Sequence, residues 1–432
     1  MLSVLAPPSP SRHLPASRHL PVLGRRSAFS LHASILVALL AASSAPTPLY
    51  ALYQAEWHFS ALTVTVVFSA YALALLGALL MAGTLSDHLG RRPVLIGALL
   101  AEAAAMAVFA TAQGVAALIA ARILQGLATG VATSAAGAAL LDFEDPGRPG
   151  RATLANGITP VAGMAAGVLA ATALAQYAPA PTRTVYLLLL LLVTAQAAAV
   201  LITTETAHPH SGAWRSLRPG IAVAPASRPA MGLLAPGVVA AWALGGFYSS
   251  LGPSLARLVA PHTSRATGGL VFFTLTAAAG LTVLAARPLS ARTASSAGVA
   301  VLIPAALLTL SAPHLHSLAV LFAGTALAGT GFGAVTQGAL RLLLAPAAPD
   351  ERAGTLAAYY VLSYLAMSIP AVLAGLLTNL YGLQTAVFLY AATVILLTLT
   401  GLVRSVRQPA AVRSGSSRPA PRRTAPPERT HR

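Results

Sequence analysis

Apolar runs of about twenty residues, divided by short polar breaks, repeat along this chain from residue 31 to residue 403. A helix rising ~1.5 Å per residue needs ~20 mostly apolar residues to cross the hydrocarbon core of a bilayer. Segments of that length fall at 31–52, 62–82, 93–112, 117–141, 153–176, 184–203, 232–256, 267–286, 295–312, 317–340, 355–380 and 384–403. Hydrocarbon offers no partner to a backbone N–H or C=O, so each run must bond internally, as a helix. The pattern predicts an all-α integral membrane protein with twelve transmembrane helices.

The polar breaks test that count. With the N-terminus inside, inner segments hold Arg12, Arg18, Arg25, Arg26, Arg91, Arg92, Arg148, Arg151, Arg215, Arg218, Arg228, Arg287, Arg292, Arg341 and Arg352, and eight more in the C-terminal tail. Outer segments hold only Arg183, Arg257 and Arg265, while Arg122 lies inside the fourth span. Such a bias is what the positive-inside rule requires, and one helix more or fewer would scramble it. It places both termini in the cytoplasm and the chain in the cell (inner) membrane.

The longest internal break, Thr204 to Ala230, is polar and rich in proline and arginine. It divides the chain into a six-helix bundle at 29–204, a cytoplasmic linker at 205–230 and a second six-helix bundle at 231–404. Weak self-similarity supports the division. Gly150-Arg151-Ala152-Thr153-Leu154-Ala155 recurs as Glu351-Arg352-Ala353-Gly354-Thr355-Leu356-Ala357, and Leu85-Ser86-Asp87-His88 has an echo in Leu289-Ser290-Ala291-Arg292. Residues 1–28 repeat Ser-Arg-His-Leu-Pro and residues 405–432 are rich in Pro, Arg and Ser, so both basic ends are expected to be disordered. No apolar core precedes a small-residue cleavage site, so no signal peptide is expected.

Composition narrows the class further. Hydrophobic residues make up 56% of the chain and charged residues 9%, against ~25% charged in soluble domains; a soluble protein of this length could not clothe its surface. The absence of cysteine excludes disulfides and cysteine–metal sites. The net charge of +17 resides in the ends and alternate breaks, where arginines set topology and meet anionic lipid headgroups, and no nucleic-acid partner is expected.

A charged turn, Gly83-Thr84-Leu85-Ser86-Asp87-His88-Leu89-Gly90-Arg91-Arg92, joins the second and third spans. It resembles the signature turn of the major facilitator superfamily, G-x-x-x-D-x-x-G-R-[RK], with His88 where a basic residue usually follows the acid. The resemblance implies twelve helices in two pseudo-symmetric six-helix bundles and a secondary transporter that works by alternating access. It also implies a latch on the inner face. Gly83 would let the second span approach the eleventh, whose partly positive N-terminus attracts Asp87. Gly90 would supply a positive φ, and Arg91 or Arg92 would reach Asp142. Read alone, the arginines are simply inside-facing topology signals.

In the fourth span, Arg122-Ile123-Leu124-Gln125-Gly126 resembles the superfamily's R-x-x-Q-G pattern, which gives Arg122 a part in proton coupling or conformational change. An arginine at mid-membrane costs ~2.5–3.5 kcal/mol on insertion scales, so it must face a cavity or a partner. A purely structural arginine bonded to backbone carbonyls is the other reading. Glu102 is the only carboxylate deep inside a predicted span; it is expected to be protonated or paired with Arg122, either as a proton carrier or as a fixed pair. The fifth span keeps Pro160 and Gly163 of the antiporter-like pattern but has Thr159 and Met164 where glycines belong, which favours export only slightly.

By the same resemblance, spans 1, 4, 7 and 10 line the cavity, with support from 5, 8 and 11. Candidates for substrate contact are Ser43, Ser44, Thr47, Tyr50, Gln125, Asn156, Trp242, Phe247, Tyr248, Thr336, Gln337, Tyr359, Tyr360 and Tyr364. Aromatics with a polar edge suit amphipathic organic molecules, and they equally suit helix interfaces. With few charges in these helices, a neutral or weakly cationic solute fits better than a sugar phosphate. Phosphate loops, H-E-x-x-H and dinucleotide fingerprints are absent, so no enzyme, cofactor or metal is expected. The reading is a monomeric proton-coupled efflux permease for a small organic solute. An uptake symporter for a sugar or metabolite stays open, as does a receptor or membrane enzyme on the same scaffold.

Overall fold

The computed structural model describes residues 23–207, 211–212, 217 and 220–407. Of the ends expected to be disordered, 1–28 and 405–432, residues 1–22 and 408–432 fall outside the described residues, while 25–28 and 405–407 are helical, as extensions of the first and last spans. Arg12, Arg18, Arg215 and Arg218 also fall outside the described residues. Among the described residues, twelve helices are long and apolar enough to cross a membrane. Span 1 is Arg25–Trp57, span 2 Ala61–Ala82, span 3 Arg91–Ala110, span 4 Val115–Asp142, span 5 Arg151–Tyr177 and span 6 Pro181–Val200. Span 7 is Pro225–Val259, span 8 Arg265–Ala285, span 9 Ala291–Leu315, span 10 Leu318–Leu344, span 11 Arg352–Tyr381 and span 12 Leu383–Arg404. Several run past their apolar windows, because a helix does not stop at the hydrocarbon boundary but where a glycine or proline ends it. Gly150 and Gly382, both at positive φ, mark the starts of spans 5 and 12. Span 1 is broken at Ala45 into Arg25–Ser44 and Pro46–Trp57, since Pro46 has no N–H to donate.

The helix neighbours repeat with a shift of six. Span 1 packs on span 5, span 2 on span 4, span 3 on spans 4 and 6; correspondingly span 7 packs on 11, 8 on 10, and 9 on 10 and 12. This is the arrangement of two halves related by an axis along the membrane normal. Spans 2 and 11, and spans 5 and 8, join the halves. Glycines at four-residue spacing repeat too. Gly126 and Gly130 of span 4 lie against the backbone of span 2, and Gly329 and Gly333 of span 10 lie against that of span 8. Lipid tails are as apolar as leucine, so close van der Waals packing of such small-residue faces holds the helices together. An even number of spans puts the described chain ends on one face, here the terminal face; the other is the distal face.

Candidate functional site

The charged turn is built into the first half alone. Gly90 adopts φ +103°, and a side chain there would strike the Glu205 carboxylate at 2.7 Å. That carboxylate caps the start of span 3, accepting from the Arg91 N–H at 2.8 Å and the Arg92 N–H at 3.0 Å; an anion there meets unpaired N–H groups and the positive end of the helix dipole. Arg91 bonds Asp87, Ser86 and, from Nε at 3.3 Å, Asp142. Thr206 Oγ1 donates to the same Asp142 oxygen at 2.7 Å, and Arg92 reaches the Leu201 carbonyl instead.

Two expectations change here. Gly83 faces Ser134 of span 4, with no atom of span 11 among its nearest neighbours. Asp87 bonds Arg91 on its own turn, and among the described residues no hydrogen bond joins it to the start of span 11. Glu205, from the segment after span 6, went unread because nothing local marks it; only its pairing with a turn more than a hundred residues earlier gives it a role. Glu205→Ala should cost ~1 kcal/mol, the usual scale for a helix cap, read as a lower melting temperature of the purified protein with its helical content retained.

Mid-membrane, the first half encloses a charged cluster. Arg122 is 1% exposed and Glu102 is fully buried. Arg122 donates to the Tyr50 hydroxyl from Nε at 3.1 Å and Nη2 at 2.5 Å, to the Ser43 carbonyl at 2.9 Å and to Gln125 Oε1 at 2.9 Å. Its guanidinium also stands over the rings of Tyr50, Tyr71 and Phe109 at 5.2–5.8 Å, close enough for cation–π attraction. The expected direct pair of Arg122 with Glu102 is not formed. Gln125 stands between them, and its Nε2 donates to Glu102 Oε1 at 3.2 Å while Thr129 donates to Oε2, also at 3.2 Å. An amide carries an acceptor at one end and a donor at the other, so Gln125 can bridge the cation and the carboxylate. Gln125 is committed to this bridge and is fully buried in this arrangement.

The other candidates divide. The Ser43 and Ser44 hydroxyls bond carbonyls of their own helix, Ser44 also bonding Met164 of span 5. Asn156 staples span 5 to the Gly137 carbonyl of span 4 at 3.0 Å, Thr47 is buried, and Phe247 packs on Tyr390. Tyr248 is turned away from the middle of the protein, sharing a 2.5 Å hydrogen bond with Thr309 of span 9. Its partner is neutral, whereas Tyr50 of span 1 accepts from the Arg122 guanidinium. Trp242, Tyr359, Tyr360 and Tyr364 do gather. The Trp242 ring meets Phe332 and Tyr364 at 5.3 Å each, Tyr364 meets Tyr360 at 6.1 Å, and Trp242 Nε1 donates to the Tyr359 hydroxyl at 3.4 Å. Beside them Thr336 Oγ1, Gln337 Oε1 and Ser363 Oγ are buried without a partner. Buried polar groups are rarely left so, since each forfeits its hydrogen bonds to water.

Tyr71 of span 2, its hydroxyl also unpartnered, lies between the charged and aromatic clusters. The hydrogen bonds joining the halves are Ser69 to the Ser368 carbonyl and the Leu62 N–H to Asn379 Oδ1, the latter at the distal end. There Gly375 also seats Thr65, and Gly269 seats Pro48 and Thr172. The distal face is closed.

Twelve spans in two parallel-repeat halves, the first enclosing a buried arginine–carboxylate cluster, define a secondary-transporter architecture. The chain belongs to the Major Facilitator Superfamily, whose sequence profile matches residues 32–294. Solved structures agree in fold. The nucleoside transporter NupG (D323A mutant) is 11% identical with a TM-score of 0.70, over 88% of this chain and 100% of that one. A bacterial homologue of the human lysosomal transporter Spinster, inward-facing and unoccupied, is 12% identical with a TM-score of 0.72, over 88% and 97%. The human organic anion transporter MFSD10 (TETRAN) is 19% identical with a TM-score of 0.64, over 88% and 100%. A search of curated proteins found no match. Family and fold point to a transporter rather than an enzyme.

Proposed function

We propose that this protein is a proton-coupled secondary transporter in the cell membrane that exports a small organic solute, with Glu102 as the proton carrier. The observation that carries the reading is the sealed relay Glu102–Gln125–Arg122–Tyr50. A proton on Glu102 Oε1 turns that oxygen from acceptor to donor. Gln125 must then turn its own oxygen toward Glu102, withdrawing it from Arg122. Arg122 also holds span 1 through Tyr50 and the Ser43 carbonyl, so the proton loosens a contact between spans 1 and 4. The aromatic cluster around Trp242 and Tyr364, with unpartnered Thr336 and Gln337 beside it, suits a neutral or weakly cationic solute with a flat apolar part and a hydrogen-bonding edge. The fifth span, with Pro160 and Gly163 of the antiporter-like pattern, favours export only slightly.

The arginine bias supports a cytoplasmic terminal face, which puts the closed distal face on the outer side. Asp87 then meets the start of span 11 only when the inner face closes. Asp87→Asn should slow turnover several-fold at unchanged expression, and full turnover would remove the latch. The reading as a whole is tested in liposomes holding the purified protein, screened with fluorescent organic cations and sugars with and without an imposed pH gradient. Proton-driven movement of at least one such solute against its own gradient is expected. Solute movement that ignores the pH gradient would end the proton-coupled reading.

A further inference from the structure

The two halves treat their terminal-face arginines differently. In the first half Arg91 pairs with Asp87 and Asp142, and Arg25 bonds the carbonyls of Asp142, Phe143 and Glu144. In the second half Arg287, Arg292, Arg341 and Arg404 have no ion pair among the described residues. The repeat explains the asymmetry. Where the first half has Asp87-His88, the second has Ala291-Arg292, so the acid is missing and a full cation replaces the imidazole. The acids next along the chain, Asp350 and Glu351, lie in the turn before span 11, where Glu351 accepts from the Ala348 N–H.

Arg292 borders a cavity of about 530 Å³ between spans 7, 9, 10 and 12, walled by Leu234, Val299, Leu342 and Leu402; ligand sites occupy ~300–1,000 Å³. Gly237 and Gly401 also line it, and as glycines they take up no side-chain volume there. Ser295 is 3% exposed and lines this space, yet its hydroxyl has no hydrogen bond among the described residues. Arg404 donates to the Gly232 carbonyl at 3.2 Å, beside Leu233 of the same wall, and brings a second guanidinium to the rim. The cavity therefore has an apolar wall, a cationic edge and an idle hydroxyl, at the level where helices leave the membrane.

We propose that this cavity binds an anionic phospholipid, its headgroup phosphate on Arg292 and Ser295 and its first methylenes against Leu234, Val299 and Leu402. Basic pockets between helices on the cytoplasmic side suit such headgroups. The chain's own tail is a poor occupant on charge, because Arg413, Arg418, Arg422, Arg423, Arg429 and Arg432 stand there against the single acid Glu428. Free phosphate would leave the apolar wall uncovered.

Native mass spectrometry of the purified full chain tests this with added phosphatidylglycerol, phosphatidylcholine or inorganic phosphate. One phosphatidylglycerol should be retained in preference to phosphatidylcholine. Arg292→Gln should weaken that retention ~10-fold, since charge-assisted bonds to phosphate are among the stronger ones. Ser295→Leu, which fills the cavity and keeps both arginines, should also release the lipid. Arg341→Gln, whose guanidinium bonds the Leu289 carbonyl, should retain it. Melting curves without lipid identify folded variants, and Arg404→Gln replaces Arg292→Gln if the latter fails to fold. Equal retention of phosphatidylcholine, displacement by equimolar inorganic phosphate, or wild-type retention in the folded arginine variant would each overturn the proposal.

Discussion

Glu102→Gln abolishes gradient-driven transport and leaves solute exchange across the same liposomes intact: that is the result expected of a proton carrier. Glutamine keeps the shape of the side chain and can still accept from Gln125 or Thr129, which bond Glu102 at 3.2 Å each, so the fold should persist. What it cannot do is gain or lose a proton. The gradient-driven rate should fall to the rate without a gradient, while exchange of labelled for unlabelled solute continues. Loss of both would make Glu102 structural, and retention of both would place the coupling elsewhere. Gln125→Leu should reproduce the uncoupling through the other end of the relay, because Arg122 would no longer sense the charge on Glu102.

Gly126→Val should produce a large loss of stability. A Cβ at Gly126 would lie 2.8 Å from Ala74 Cβ and 2.9 Å from the Leu75 nitrogen of span 2. Neither can swing aside as the tip of a long side chain does, so the two helices must separate. Overpacking of this kind costs ~1–3 kcal/mol where neighbours adjust, and more where backbone opposes it. Separation would also carry Tyr71 away from Arg122, now 5.2 Å from its ring. A markedly lower melting temperature with impaired transport is expected. Gly97→Ala, where an added methyl meets nothing within 4 Å, is the control and should melt as the parent does. Equal melting of the two variants would show that span 4 does not depend on this close approach.

Much of the architecture was legible because bilayer thickness imposes a length on apolar runs and the arginines mark alternate ends. The family turn was legible from Gly83, Asp87, Gly90, Arg91 and Arg92. Partnerships across the chain were not. Glu102 and Arg122 looked like a pair because they lie at similar depth on successive helices, but sequence depth does not say what stands between two side chains, and Gln125 does. Tyr248 looked like a cavity residue from its helix, yet its rotation about that helix points it to Thr309. Gly83 was assigned to span 11 by resemblance, and in this distally closed arrangement it meets span 4. Helix faces and conformational state are properties of packing, and a one-dimensional pattern holds them only weakly.

The unlike treatment of the two halves has an electrical consequence. Where the first half buries Arg122 and Glu102, the second buries no acid or arginine among the described residues. With Glu102 as its one titrating group at mid-depth, the molecule would trade a single H⁺ per cycle. Moving an uncharged cargo would then shift one elementary charge, and each 100 mV of membrane voltage would bias the cycle by ~2.3 kcal/mol.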